Sequence, residues 1–474
     1  MARVESPASM PQLAPHVDGW VSRTLGRLAA WWGRPSRGWW ISACAAWAVL
    51  LAGMWAASGT LVPLNLTSGY TMFDAECNYL FNVDHFLWKS VFNLVDGQDP
   101  STWQGSIVLR RVLYFVIAYP EMKWLGFERG GILNNFVLTS LTAAIFVIFL
   151  RKRFGEAASI AGMWLIATYP GIAYWSGLPE GYAFIVPACL IIGIMLWYMN
   201  ESNNPRTILL LALGIGITFL GYDLLAIFVP AALFILAVRR RFKLLVPALA
   251  CLVGPQILIV YLLYIMRGVP IANDNTEIYM IVLRSYLGPK DLQAWSALIN
   301  DLPNVFVNNF LYAGFLFIPL LFALLLIVGA FRRQWLSIVE VGILLGLGAV
   351  WLFNNAAPPY PGWQIRGTWI ARLYQPIFLP MVLFIVRWVQ RVADSSSATV
   401  LRYGTIGAII IAVAANGLTV FGPLLGTPGV SAILYSKFYT HGLPEQVYKN
   451  LELYGRHPAN LLCVPDSSRW IKSW

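Results

Sequence analysis

Apolar runs of about 20 residues recur along the whole of this chain, and a helix of that length crosses a hydrocarbon core about 30 Å thick. No other feature restricts the fold so tightly. Inside lipid there is no water to satisfy backbone amides and carbonyls, so a spanning segment must be a helix or part of a closed barrel. The ten-residue alternation of a barrel strand is absent. The expected fold class is therefore an all-α polytopic membrane protein. Composition points the same way. With 58% apolar and 12% charged residues, a soluble domain of 474 residues would lack the charge to cover its surface.

The hydropathy pattern predicts about eleven transmembrane helices, near 40–62, 132–150, 157–175, 180–200, 207–221, 223–238, 244–265, 308–330, 335–354, 372–389 and 404–425. The net charge of +11 is not spread evenly. Arg151-Lys152-Arg153, Arg239-Arg240-Arg241 with Lys243, and Arg332-Arg333 each stop an apolar run. With the N-terminus inside, all three clusters fall in the cytoplasm, as the positive-inside rule requires. So do Arg206, Arg387, Arg391 and Arg402. The basic residues are then matched to anionic lipid head groups and not to nucleic acid. An odd number of spans leaves the C-terminus outside. Residues 1–39 read as a basic cytoplasmic segment, 40–425 as the membrane domain and 426–474 as an external tail. The run after residue 39 follows a basic leader with no small-residue cleavage site, so it reads as a retained helix.

The first external loop, 63–131, is long. Within it, residues 107–127 are apolar but carry Arg110, Arg111, Pro120, Glu121 and Lys123, which suits an interfacial helix. A twelfth span there is the alternative, and it would invert everything downstream. Cys44, Cys189 and Cys251 fall in spans as small core residues. Cys77 and Cys463 both fall outside, where an oxidising compartment would allow them to pair. His16, His85, His441 and His457 make no metal-ligand spacing.

Three groups of residues could carry chemistry. Asp74 and Glu76 follow the first span on its external side, and one such carboxylate can take a proton from a hydroxyl as a new bond forms. Their i, i+2 spacing puts them on one side of an extended segment and on nearly opposite sides of a helix. Glu180 sits in a Gly- and Pro-rich external turn flanked by aromatics, where it could orient an acceptor, hold a cation or simply cap the next helix. Arg366 and Arg372 are external, against the positive-inside bias, and guanidinium groups bind phosphate through paired donors. Snorkelling or a salt bridge is their ordinary reading. Arg284 and Arg267 are weaker candidates for the same role.

At these residues the chain resembles the glycosyltransferase C superfamily, similar to the protein O-mannosyltransferases and the lipid A aminoarabinose transferases. The likeness rests on Asp74-Ala75-Glu76 after the first span, Glu180 in the LPEGYAF turn, and Arg372-Leu373-Tyr374-Gln375-Pro376 with Pro380 at a late span. The interfacial helix of the first loop is a trait of the same family. The resemblance covers roughly residues 40–390.

That resemblance implies an integral membrane glycosyltransferase in a cytoplasmic membrane of bacterial type. The donor would be a polyprenyl-phosphate-linked sugar and the acceptor a hydroxyl on a lipid, glycan or protein at the external face. Asp74, Glu76 and Glu180 would be the catalytic acids, and Arg366, Arg372 and Arg284 would hold the donor phosphate. No cofactor is required. Ala75 separates the two acids, a spacing found in metal-dependent branches, so a divalent metal stays open. Other classes compatible with the sequence are a non-catalytic membrane subunit or scaffold, a transporter, and a glycan polymerase.

Overall fold

The computed structural model of the chain describes residues 35–60, 112–125, 127–176, 181–267, 317–356, 375–394 and 399–421. In chain order the α-helices are α1 (Arg37–Thr60), α2 (Val112–Leu125), α3 (Phe127–Phe154), α4 (Glu156–Ala167), α5 (Pro170–Ser176), α6 (Ile185–Glu201) and α7 (Pro205–Thr218). They continue as α8 (Phe228–Val238), α9 (Leu245–Arg267), α10 (Phe317–Phe331), α11 (Ile338–Ala356), α12 (Phe378–Asp394) and α13 (Thr399–Phe421). Short 3₁₀ turns lead into α6, α8, α9 and α12. Among the described residues there is no strand; they are all-helical and apolar, consistent with an all-α membrane protein.

Each range expected to span holds a described helix. Among the described residues four helical segments are by themselves long and apolar enough to cross a membrane: Arg37–Trp55, Gly130–Phe154, Phe242–Ile259 and Thr399–Phe421. The others are shorter apolar helices. The range 157–175 is broken between α4 and α5, because Pro170 has no N–H to donate and disfavours helical geometry at Tyr169. Pro170 instead opens α5, where the missing donor costs nothing. Pro205 opens α7 in the same way, with Asn204 Oδ1 accepting from the Arg206 amide at 3.0 Å. The expected segment 107–127 contains α2, whose 14 residues include Pro120. The Tyr114 hydroxyl donates to Asn135 Oδ1 at 3.1 Å, so the chain doubles back between α2 and α3.

The surface is apolar and the interior carries polar groups. On α3, Leu133, Val137, Leu141 and Ile145 recur at every fourth residue and are 37–56% exposed. On another face of the same helix Asn135 and Thr139 are fully buried. A water-soluble helix would do the reverse. Cys189 is buried as expected, but Cys44 is exposed on α1, since its helical face points away from the bundle.

Where helices meet most closely, glycine permits it. Gly342 and Gly346, one turn apart on α11, lie against the backbone of α8 at the Ala231 carbonyl and of the turn leading into it at the Ile227 carbonyl. A methyl at Gly346 would run into the Ile227 oxygen.

One end of the bundle is basic and densely bonded. Trp39 Nε1 donates to Ser159 Oγ at 2.6 Å and Trp164 Nε1 to Ser42 Oγ at 2.9 Å, tying α1 to α4. Arg153 pairs with Glu201, and Arg241 donates to the Met199 carbonyl at 2.8 Å and to Asn203 Oδ1 at 3.0 Å, joining α3, α6 and the α8–α9 turn. Glu156, at the start of α4, accepts hydrogen bonds from Ser36 that hold its carboxyl below the ordinary range. Arg240 and Arg333 take left-handed backbone (both φ 56°) just past the ends of α8 and α10. In both turns a six-to-one hydrogen bond closes the helix, from Arg241 to Leu236 and from Gln334 to Gly329.

Glu340 is the deepest charge at this end. The amide of Ser337 donates to its Oε2 at 2.7 Å while Ser337 Oγ accepts the Glu340 amide at 3.3 Å, a reciprocal cap on α11. Arg387 of α12 completes the pair, with side-chain exposures of 12% for the arginine and 0% for the glutamate. Removing one partner strands a buried charge. Arg387→Leu is expected to lower stability by about 3–5 kcal/mol, read as thermal unfolding in detergent. Adding Glu340→Leu should recover most of the loss. An unchanged melting temperature in the single variant would remove the pair from the stabilising set.

Candidate functional site

The end opposite the basic one is assembled from α2, the start of α3, α5 and the entries to α6 and α12. Tyr169, at the α4–α5 break, stacks on Phe378 with ring centroids 4.7 Å apart and planes 19° apart. Tyr114 meets Phe184 edge-on at 6.3 Å, and the Leu113 amide donates to the Leu220 carbonyl at 3.0 Å. Gly53 of α1 lies against Ala173 of α5 and Val420 of α13, so α1 leaves the bundle beside these elements.

Beneath them runs a stripe of buried polar side chains. Asn135, Thr139 and Thr142 follow helical spacing on α3. Asn135 accepts from Tyr114, Thr139 shares a 2.9 Å hydrogen bond with Ser176 of α5, and Thr142 donates to the Leu138 carbonyl at 2.8 Å. Other buried groups among the described residues are not satisfied. Asn134 Nδ2 and Ser140 Oγ on α3, Glu121 Oε2 on α2, and both amide atoms of Asn416 on α13 are buried with no hydrogen-bond partner. Each such group costs about 1–3 kcal/mol, and in lipid no bulk water offsets it. Ionisable groups within a membrane bundle mark functional positions by default, which applies here to Glu121; the amides and hydroxyls also serve as hydrogen-bonding contacts between helices. Their donors and acceptors suit a ligand rich in hydroxyls.

Asp74, Glu76, Glu180, Arg284, Arg366 and Arg372, singled out from the sequence, lie outside the described residues. So do Arg267's side chain, the four histidines, Cys77 and Cys463. What the structure fixes is their points of attachment. Glu180 immediately precedes the Gly181–Phe184 turn, and Arg372 stands three residues before the Gln375–Ile377 turn. Both turns pack on α6. The segment with Asp74 leaves from α1 and re-enters at α2. Among the described residues no group of His, Cys, Asp or Glu could hold a metal ion.

Compared with protein-family models, curated proteins and solved structures, the chain has no significant match.

Sequence reasoning missed the polar stripe, Asn416 and the Glu340–Arg387 pair. The stripe had a signal, since Asn135, Thr139 and Thr142 share a helical face. Ser337-x-x-Glu340 also matches a capping box. Asn416 had none, because a lone amide in an apolar run does not reveal whether it is paired.

Asn416→Leu removes two unsatisfied atoms at nearly constant volume. The variant is expected to gain about 1–3 kcal/mol in stability, measured by thermal unfolding. A destabilised variant would mean that Asn416 has a partner after all.

Proposed function

We propose that this protein is an integral membrane glycosyltransferase of the glycosyltransferase C type. It takes a sugar from a polyprenyl-phosphate donor and passes it to a hydroxyl acceptor at the external face of a bacterial-type cytoplasmic membrane. All eleven expected segments cross in this reading, the shorter helices being completed by the turns that extend them. The N-terminus is inside and the C-terminus outside. The observation that carries the reading is the buried polar stripe of α3, with the unsatisfied Asn134 and Ser140 on the same helix, at the end of the bundle to which Glu180 and Arg372 are tethered. Covalent geometry keeps Arg372 within about 11 Å of Gln375.

The chemistry balances without a further reactant. The acceptor oxygen attacks the anomeric carbon while Asp74 or Glu76 takes its proton. The carbon–oxygen bond to phosphate breaks, and the polyprenyl phosphate leaves with the electron pair. Attack opposite the leaving group inverts configuration. Charge grows on the departing phosphate in the transition state, and Arg366, Arg372 and Arg284 are the fixed cations that would meet it. Glu180 would orient the acceptor. Asn134, Asn135 and Ser140 would bond sugar hydroxyls. A divalent metal on the acidic pair is compatible with this scheme but not needed for it.

The test is to incubate purified protein with a panel of polyprenyl-phosphate sugars and an acceptor extract and to measure release of polyprenyl phosphate. Asp74→Asn should insert and fold normally yet turn over about 10²–10⁴-fold more slowly. Full activity in that variant takes Asp74 out of the reaction. No release from any donor in the panel would count against the transferase and for the scaffold. Arg372→Ala should raise the donor KM more than the acceptor KM. Equal effects on the two would make the arginine structural.

A further inference from the structure

Two turns at the basic end of the bundle are built alike. In each, an arginine just past a helix end takes left-handed backbone, Arg240 after α8 and Arg333 after α10, both at φ 56°. Two hydrogen bonds close each helix. The Arg240 and Arg241 amides donate to the Ala237 and Leu236 carbonyls at 2.9 and 2.8 Å, and the Arg333 and Gln334 amides to Ala330 and Gly329 at 3.2 and 2.8 Å. Two residues beyond each arginine comes an exposed aromatic, Phe242 at 61% and Trp335 at 64%. The two turns are also neighbours. α8 and α11 run antiparallel, with Gly346 beside Ile227 and Gly342 beside Ala231. Carrying that register one turn further brings Ile338, where α11 begins, level with Ile235, near the end of α8.

Glycine is the usual residue at this position, because at positive φ an L side chain crowds the following carbonyl. A cation in the last helical turn would meet the helix dipole equally well. The positive-inside rule is met by a cation anywhere in the connection. Neither calls for an arginine in strained backbone at both turns. Nor do these two side chains hold the turns in place. Arg241 does so at one, through the Met199 carbonyl and Asn203. Arg387 does so at the other, donating to the Trp335 carbonyl at 3.3 Å. Arg240, Lys243, Arg332 and Arg333 are exposed, and among the described residues none of them has an acidic partner. Residues 239–243 and 332–337 contain no acid, and the nearby Glu340 is engaged by Arg387.

We propose that these two turns together form a binding surface for the phosphate of an anionic glycerophospholipid in the leaflet at the basic end. Arg240 and Arg333 offer the phosphate paired donors, and Lys243 and Arg332 add charge. Phe242 and Trp335, with the exposed Phe331, sit where acyl chains meet head groups, the depth at which aromatic rings anchor. Those rings favour a lipid over a phosphate free in water, which would need the cations alone. The inference needs only the membrane setting and stands apart from the glycosyltransferase reading.

The full chain would be reconstituted with equal parts phosphatidylglycerol and phosphatidylcholine, mildly delipidated, and weighed by native mass spectrometry. Wild type should retain phosphatidylglycerol in preference to phosphatidylcholine, and an excess of soluble glycerol phosphate should leave that preference intact. Arg240→Gly and Arg333→Gly relieve the backbone, so each should melt no lower than wild type. Each should nonetheless cut the preference about fivefold. Arg240→Gln and Arg333→Gln, which keep the side chain's bulk and lose its charge, should cut it equally, whatever the glycine variants do to folding. Arg240→Lys and Arg333→Lys should keep most of it. Arg37→Gln removes a cation at the same end from α1, which packs on α4 and α13 instead, and should change nothing. Equal retention of the two lipids overturns the proposal, as does a preference that survives the glycine and glutamine substitutions. A loss as large in Arg37→Gln would make the preference a diffuse effect of charge, and displacement by glycerol phosphate would make the ligand soluble; either result also overturns it.

Discussion

Lipid makes no hydrogen bonds, and every other feature of this chain answers to that fact. It forces the backbone into helices, because only a helix satisfies its own amides and carbonyls. It also reverses the usual distribution of side chains. Leu133, Val137, Leu141 and Ile145 look outward from α3, while Asn135 and Thr139 look inward. Because the surrounding medium is as apolar as leucine, burying leucine drives no association. The helices are held instead by close backbone approach, as at Gly342 and Gly346, and by specific bonds such as Trp39 to Ser159.

The two ends of the bundle meet this constraint differently. At the basic end the buried polar atoms are mostly paired. Ser159 meets Trp39, Thr405 meets Trp388 at 3.0 Å, and Glu340 keeps Oε2 bonded to Arg387 and Ser337 while only its Oε1 is left over. Phe154 and Trp197, edge to face at 5.1 Å, fill the space between α3 and α6. At the other end Asn134, Ser140, Glu121 and Asn416 retain unsatisfied atoms. Structural polar groups are normally satisfied, so the unsatisfied ones fit a role in meeting something from outside the bundle.

The fold was largely legible because hydrophobic length, basic stops and helix-breaking prolines act locally. Each apolar run predicted from the sequence holds a described helix, and the ends at Phe154, Val238 and Phe331 coincide with the basic clusters. The break at Pro170 was less visible, since a proline near the end of a span reads equally well as a kink, a stop or a new start. The segment 107–127 was legible as apolar with a flaw, but its return along α3 depends on the Tyr114–Asn135 bond, which couples positions 21 residues apart. The candidate site was legible only as chemistry. Asp74, Glu76, Glu180 and the arginines are notable for charge in an uncharged context. Their mutual geometry is set by long connections whose course no local rule determines, and they lie outside the described residues.

Polarity that collects at one end of a bundle bears on the choice between moving a solute and transforming one. A carrier needs polar side chains that continue from face to face, so that its site can open alternately to either side. In this chain the buried polar side chains of α3 stop at Thr142. Below it come Phe146, Phe149 and Leu150, buried against α4 and α6, before the charged belt begins. A solute at Asn135 would have to pass that apolar plug and then the bonded aromatic and ionic layer. An enzyme asks for much less. In the proposed reaction the donor would enter sideways from the lipid, the acceptor from the water beyond the same end, and both products would leave as they came. A buried polar stripe at one end with a dry layer beneath it would suit the proposed transfer, and a dry layer strengthens electrostatic contacts formed above it.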